Sequence, residues 1–314
     1  MLSYSVVATT FNDSAEIIRY LECICNQTVP PTEVIIADGG SKDNTVELCR
    51  NYKSGNTTKV IVLQDGRLNI SQGYNLAIRN ASTEYIGVTG IGNLYQSDYF
   101  EKLIEFIPKY DVVYSPVRGY KSTKYAEAYN RTFLNGDYGQ RISIATNHGV
   151  LMRKDIFEHL GYFYEKFIYA GEDAEFYQLV KDAGYSTTIA SDAKCFWFTP
   201  KDRKEFLKQI KNYSIADMQI YGFKNICKRE SRNIEKLIVD AICILGTGIS
   251  LFANAPVASL FLALFVVLHA VDYYKYREKN YKMIVEQRYY KLYYYFCFRK
   301  YFGKEYLVNR EVKR

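Results

Sequence analysis

The sequence predicts an α/β protein built on a mainly parallel sheet, with a helical hairpin and a tail following it. Three observations carry this prediction. Short apolar strands alternate with amphipathic helices over the first 90 residues, the signature of right-handed strand–helix–strand units. The carboxyl ends of those strands carry small polar, acidic and glycine residues, where open parallel sheets place their ligands. Near residue 237 the composition changes abruptly to a run with a single charge, Asp240.

In order, residues 3–10 (SYSVVATT) read as the first strand, and residues 12–27 as a helix with Asp13 and Glu16 spaced as a capping box. Residues 30–40 (PPTEVIIADGG) give a second strand entered through a proline turn. A short helix begun by Asp43 or Asn44 follows. Residues 59–64 form a third strand, 69–81 a third helix and 85–89 (YIGVT) a fourth strand. Residues 111–117 (DVVYSPV) read as one more strand, followed by a polar, tyrosine-rich stretch to about residue 145. Helices at 153–161 and 173–184 end at glycines, as helix C-termini often do.

The chain has 314 residues and a formal charge of +7. That is length for one sizeable catalytic-type domain, residues 1–230, with appendages. The charge suits an anionic ligand or membrane surface, and no aromatic-plus-basic signature points to nucleic acid. Seven scattered cysteines form no paired zinc spacing and read as buried, reduced thiols. The N-terminus enters a strand directly, without a signal-peptide pattern. Residues 237–271 break at Asn254-Ala255-Pro256 into two apolar halves flanked by basic residues on both sides. Basic flanks on both sides keep both ends on the cytoplasmic face, so residues 231–272 read as a transmembrane or re-entrant hairpin. Residues 273–314 form a basic, aromatic tail, suited to lipid headgroups or to packing on the first domain.

Four stretches carry candidate chemistry. Thr9, Thr10 and Asn12 lie on a strand-to-helix turn that offers backbone N–H groups to an anion or a polar ring. Asp38 ends the second strand before Gly39-Gly40, where a carboxylate meets a base N–H or a ribose hydroxyl. Glu172 and Asp173 open a helix after Gly171, where the helix dipole favours their ionised forms and allows general-base work. Trp197 ends a strand before a lysine- and arginine-rich helix.

Taken together, SVVATTFND, EVIIADGGSKDNT, GYNLAIRNA, GVLMRKDIFEHLGYF and GEDAEFYQLVKDAGY resemble family 2 glycosyltransferases of the GT-A fold. The resemblance covers residues 3 to 222 and is strongest to membrane-associated members that build surface polysaccharides and glycolipids. It implies a nucleotide-diphospho-sugar donor (UDP-, GDP- or dTDP-linked), a glycan or lipid-linked acceptor, membrane lipids as surroundings, and a cell-membrane location facing the cytoplasm. Thr9, Thr10, Asn12 and Asp38 would hold the nucleotide, with Asn75 or Arg79 on the nearby helix. The family's ED motif matches Glu172-Asp173, making Asp173 the base in an inverting displacement. Asn147, His148 and Gly149 match the acceptor-side loop.

The opening of the site departs from the family pattern. Members usually carry Asp-x-Asp after the fourth strand to hold Mg2+ or Mn2+; here those positions are Gly90 and Gly92. A metal-binding histidine often found near residue 197 is replaced by Cys195-Phe196-Trp197-Phe198. Three readings stand side by side. In the first, the enzyme is metal-independent, with Arg67, Lys201, Arg203 or Lys204 neutralising the diphosphate and Gly90 and Gly92 lending N–H donors. In the second, the protein is a non-catalytic nucleotide-sugar binder or membrane scaffold. In the third, a metal is held by other residues such as Asp98 or Asn93.

Overall fold

The computed structural model describes residues 2–134, 146–253 and 255–298. Residues 299–314, the end of the basic tail, and 135–145, the end of the tyrosine-rich stretch, lie outside them.

β1 (Tyr4–Thr10), β2 (Glu33–Asp38) and β3 (Lys59–Gln64) run parallel, with α1 (Ile17–Cys25) and α2 (Thr45–Asn51) as crossovers. β4 (Tyr85–Thr89) joins the other side of β1 in parallel after α3 (Ile70–Asn80). β8 (Gly149–Arg153) then pairs antiparallel with β4, and β6 (Val112–Tyr114) and β9 (Thr187–Ile189) complete a seven-stranded sheet in the order β3-β2-β1-β4-β8-β6-β9. β1 and β2 are buried almost throughout, which is why they read as continuous apolar runs.

Residues 111–117 do not form one strand. β6 ends at Tyr114, and Pro116, which has no N–H to give a ladder, precedes β7 (Val117–Gly119). β7 belongs to a second sheet, β5 (Asn93–Tyr95)–β10 (Cys195–Trp197)–β7. The Asp13–Glu16 capping box is also absent. The Asp13 carboxylate instead accepts from Thr10 Oγ1 at 2.8 Å and the Phe11 N–H at 3.1 Å, so it ties the β1 turn and α1 starts without a side-chain cap. α3 does carry a capping box, from Asn69 and Gln72.

The remaining helices are α4 (Tyr99–Ile104), α5 (Lys124–Tyr129), α6 (Lys154–Leu160), α7 (Glu172–Asp182), α8 (Arg203–Arg229), α9 (Ser231–Ala253), α10 (Ala255–Lys275) and α11 (Tyr281–Phe298). One π-helical turn, Asn130–Leu134, follows α5. α8 bends at Gly222, whose φ of 70° lies in the left-handed region. Of the two surroundings open to the aromatic tail, its helical part takes the packed one. On α11, Leu292 and Tyr295 are buried against Met218 and Ile226 of α8. All seven cysteines are free thiols, four buried, two half-buried and Cys297 exposed.

Candidate active site

Register brings the chemistry to one edge. Thr10 of β1 pairs with Asp38 of β2, and Val7 with Val88, so the carboxyl ends of β1, β2 and β4 emerge side by side. Beyond β1 and β2 lies a cleft of about 220 Å³ lined by Thr9, Thr10, Phe11, Gly39, Leu68 and Asn69 among others. Gly73 lets α3 approach this end closely, because a Cβ there would lie 2.6 Å from Thr9 Cγ2.

The structure places the sequence-predicted residues unevenly around this cleft. Thr9 and Thr10 line it. Asn12, at a φ of 56°, points its carbonyl oxygen at the Lys42 N–H at 2.8 Å, and its own N–H meets Ser41 Oγ. Asn12 therefore clamps the β1 turn to the β2–α2 loop. Asp38 is fully buried and accepts from the Gly40 and Ser41 N–H groups and from Gln64, holding the loop that walls the cleft. Arg67 is exposed; its Cα would lie 3.6 Å from a Cβ at Gly40, and among the described residues it makes no ion pair.

Asn75 is not brought to the cleft. It is buried, and its amide spans the Phe163 N–H, the Phe163 carbonyl and Glu165 Oε1 at 2.8–3.0 Å. Arg79 sits 3.6 Å from Glu165 and 4.4 Å from the Tyr162 ring centroid, so both residues pin the 162–167 loop. Arg203 is likewise spent elsewhere. Its guanidinium meets Glu286 Oε1 at 2.8 Å and Tyr290 Oη at 3.3 Å, joining α8 to α11 across sequence. Lys201 pairs with Glu205 at 3.0 Å.

The corner after β4 is a closed polar knot. The Gly90 N–H donates to Tyr95 Oη at 3.0 Å, and Tyr95 Oη donates to the His148 carbonyl at 2.6 Å. Asn93 Nδ2 donates to Tyr95 Oη at 3.1 Å, which leaves Asn93 Oδ1 to accept from His148 Nδ1 at 3.2 Å. That pattern fixes the proton on Nδ1, and among the described residues no hydrogen bond reaches Nε2. Burial lowers the imidazole to about 4, so His148 is neutral near pH 7 and adds no cation here. Its ring packs on Trp197 with centroids 4.9 Å apart. Gly92 faces open space, and its carbonyl accepts from the Phe198 N–H. Gly149 lies opposite Thr89, hard against Tyr99.

A hard divalent cation asks for several oxygen ligands, carboxylates above all. This corner offers two glycines, an amide committed to its neighbours and one imidazole nitrogen. Among the described residues no three His, Cys, Asp or Glu side chains come together. Asp98, the other residue considered for a metal, precedes α4 and pairs with Lys102 at 2.7 Å. The described residues of this corner do not fit such an ion.

Glu172 and Asp173 open α7 and divide their roles by burial. Glu172 is buried and accepts from Asn147 Nδ2 at 3.2 Å, while Asn147 Oδ1 accepts from Tyr177 Oη at 3.0 Å. Burial first, then the neighbouring Asp173 charge, push the Glu172 carboxyl well above the ordinary carboxylate value. Asp173 is half-exposed and accepts from the Ala174 N–H at 2.7 Å. Burial raises it too. Of two adjacent carboxyls only one ionises readily, and the geometry gives that charge to Asp173. Asn93, Tyr95, Asn147 and Tyr177 complete the site's polar framework; sequence reasoning gave none of them this part, because their partners lie up to 55 residues away.

Stability should record the buried acid. A carboxyl raised in the folded state stabilises the fold below its unfolded value and loses that contribution as pH rises through the folded one. Glu172→Gln removes the loss. Wild type should lose more resistance to urea than the variant between about pH 4.5 and about pH 8; equal losses would show that Glu172 ionises freely.

The glycosyl transferase family 2 model matches residues 5–161, half of the chain. Glycosyltransferase AglE of Haloferax volcanii is 26% identical over 199 residues, 60% of this chain and 64% of that protein. Chondroitin synthase of Escherichia coli is 34% identical over 85 residues, 27% of this chain and 12% of that enzyme. The chain thus spans less than two thirds of these relatives. Among solved structures, mannosyltransferase PcManGT from Pyrobaculum calidifontis, in complex with GDP-Man and Mn2+, superposes with a TM-score of 0.63 at 17% identity. That match covers 95% of this chain and 87% of that one. Staphylococcus aureus TarS with UDP gives 0.51 at 18% identity, over 69% of this chain and 66% of that one. With the parallel sheet, the strand-end cleft and the ED pair in place, the chain belongs to glycosyl transferase family 2 and has the GT-A fold.

Proposed function

We propose that this protein is an inverting glycosyltransferase that moves a sugar from a nucleotide-diphospho-sugar to a hydroxyl of a glycan or lipid-linked acceptor. The observation that carries the reading is the division of the ED pair: Glu172 buried and neutral behind Asn147, Asp173 half-exposed beside it. Asp173 takes the proton of the acceptor hydroxyl as its oxygen bonds to the anomeric carbon. The bond from that carbon to the diphosphate oxygen breaks in the same displacement, and the nucleoside diphosphate leaves with the electron pair. The nucleotide occupies the cleft at Thr9, Thr10 and Leu68, walled by the loop that Asp38 holds. Solved relatives bind UDP and GDP-Man, which supports a donor of this class.

The leaving diphosphate needs positive charge, and the described residues of the β4 corner supply no carboxylate to hold a metal for it. Arg67 and Lys204 remain for this electrostatic work, since Arg203 and Lys201 are held in ion pairs. Transfer measured with a panel of UDP-, GDP- and dTDP-sugars tests both statements. Turnover with at least one donor, unchanged by EDTA, is expected. Binding of donors without any turnover would instead make the protein a nucleotide-sugar-binding scaffold. Loss of turnover in EDTA, restored by Mg2+ or Mn2+, would overturn the metal-free corner.

The reading extends to the membrane. Pro256–Lys275 is long and apolar enough to cross a bilayer by length and composition, and exposed basic residues flank the hairpin on both sides. We place the enzyme at the cell membrane with its first domain on the cytoplasmic face.

A further inference from the structure

α9 and α10 form an antiparallel hairpin, shown by three successive pairs in opposed order. Lys236 meets Asp272, Asp240 Oδ1 lies 3.4 Å from His269 Nε2, and a Cβ on Gly246 would lie 2.8 Å from the Phe261 ring. The first two pairs belong to a polar belt at the hairpin's base. Arg288 Nη1 joins Asp272 at 3.3 Å, Tyr289 donates to Asp240, and Tyr281 Oη lies 2.6 Å from His269 Nδ1. α11 thus fastens the base.

Beyond the belt, residues 241–253 and 255–268 contain no charged side chain. Among the described side chains Cys243 and Ala258 are buried, but most of the large apolar ones are uncovered. Ile244 is 60% exposed, Ile249 69%, Leu260 70% and Phe252 96%. An apolar surface of this extent marks a place where another phase or molecule sits. The base announces which. Tyr273 and Tyr274 are 60% and 69% exposed there, and Lys224, Lys228, Arg229, Arg232, Lys275 and Arg277 are exposed around it. Exposed aromatic rings and cations flanking an apolar hairpin suit anionic headgroups.

Length decides how deep the hairpin goes. Thirteen or fourteen residues at about 1.5 Å each give legs of roughly 20 Å, against a hydrocarbon core of roughly 30 Å. Crossing fully would drag the Lys236, Asp240, Asp272 and Arg288 belt into hydrocarbon, which is costly. A tip that stops inside the membrane needs few unpaired backbone groups. α9 ends at Ala253 and α10 begins at Ala255, and Pro256 brings no N–H to the first turn.

We propose that the hairpin is a re-entrant anchor: its polar belt lies at the headgroups, its tip ends within the hydrocarbon, and both flanks stay on one face. The proposal rests on the membrane reading above and specifies its depth. It also sets the height of the site. The Asn280 N–H donates to Thr132 Oγ1 at 2.9 Å, so the belt abuts the π-helical turn, whose Phe133 packs on Tyr129, itself edge-on to Trp197.

The test uses the full chain carrying Cys297→Ser, with Phe252→Cys or Ile249→Cys at the tip and Tyr274→Cys at the base. These three positions are all exposed, so their packing is undisturbed. The chains are reconstituted in sealed vesicles of mixed zwitterionic and anionic glycerophospholipid and treated with a membrane-impermeant maleimide. The parent Cys297→Ser chain sets the background. With reagent on both sides, tip cysteines should label about tenfold or more slowly than Tyr274→Cys and react fully only in detergent. Tip labelling by reagent sealed inside would mean a full crossing, overturning the re-entrant depth while the membrane reading stands. Tip labelling from outside on floated vesicles would mean a hairpin lying on the surface, with the same consequence. A chain that fails to float, including one that sediments as a soluble oligomer with the hairpin covered by a second copy, would overturn both.

Discussion

Asp173→Asn should lower sugar transfer by about a thousandfold while donor binding stays within a few-fold of wild type, the range expected for loss of a general base. The two carboxyls differ in what they can give. Glu172 is enclosed, its Oε1 already receiving Asn147 Nδ2, and burial keeps its proton on. Asp173 is less enclosed than Glu172 and accepts backbone N–H groups of Ala174 and Asn147, which still leaves a lone pair for an incoming hydroxyl. Asparagine keeps the volume and the bond from Ala174 but cannot take a proton. The cleft at Thr9, Thr10 and Leu68 includes neither carboxyl among its lining residues, so nucleotide affinity should be spared. The pH profile gives an independent reading. Burial raises Asp173 above the usual aspartate value, so transfer should climb as pH rises through that raised value, because only the ionised form accepts the proton. Single-turnover rates across pH, with titration calorimetry for the donor, check both points. Wild-type rates in Asp173→Asn would remove the base from Asp173, and lost donor affinity would place the residue in nucleotide binding instead.

The fold was legible where periodicity and burial agree. β1, β2 and β4 run apolar because they are interior to the sheet, and α3 announces itself through Asn69 and Gln72. The strand over 111–117 misled because apolar alternation continues through Ser115-Pro116, and only tertiary pairing sends its two ends to different sheets. In the candidate site, residue type was legible and orientation was not. Asn75 looked like a ligand-facing amide, yet it shares a stripe with the buried Ser71, Tyr74 and Ile78. That helical spacing is the signal that marks it as a core hydrogen-bonding residue. Arg203 looked free for a phosphate, and nothing local shows that Glu286 waits 83 residues on. A separation of 53–55 residues likewise hid the Asn93–Tyr95–His148 knot. The absence of carboxylates at Gly90 and Gly92 could be read directly, but what fills that corner could not.

Gly149 shows how closely that corner is packed, and its replacement should have the largest effect on stability. A Cβ at this position would overlap Tyr99 Oη and sit 2.9 Å from Cζ, with Tyr95 Cε1 at 3.4 Å. Tyr99 has nowhere to go. It is fully buried, its hydroxyl is 2.8 Å from Ser115 Oγ, and its ring stands edge-on to Tyr95 and Phe100. Gly149 cannot retreat either, because β8 is bonded to β4 and β6 on its two sides. Overpacking of this kind costs about 3 kcal/mol, which corresponds to a melting temperature lower by roughly 6 °C or more. Tyr99→Phe is the diagnostic partner. It removes the oxygen that the new methyl overlaps, at the expense of the Ser115 hydrogen bond, worth about 1 kcal/mol. The double variant should therefore melt higher than Gly149→Ala alone, although each substitution is destabilising by itself. Additive losses would show that the two residues do not collide. A Gly149→Ala chain melting with wild type would show that strand β8 moves aside. In that case the His148 carbonyl, Tyr95 Oη and Gly90 knot would not be a rigid wall of the site.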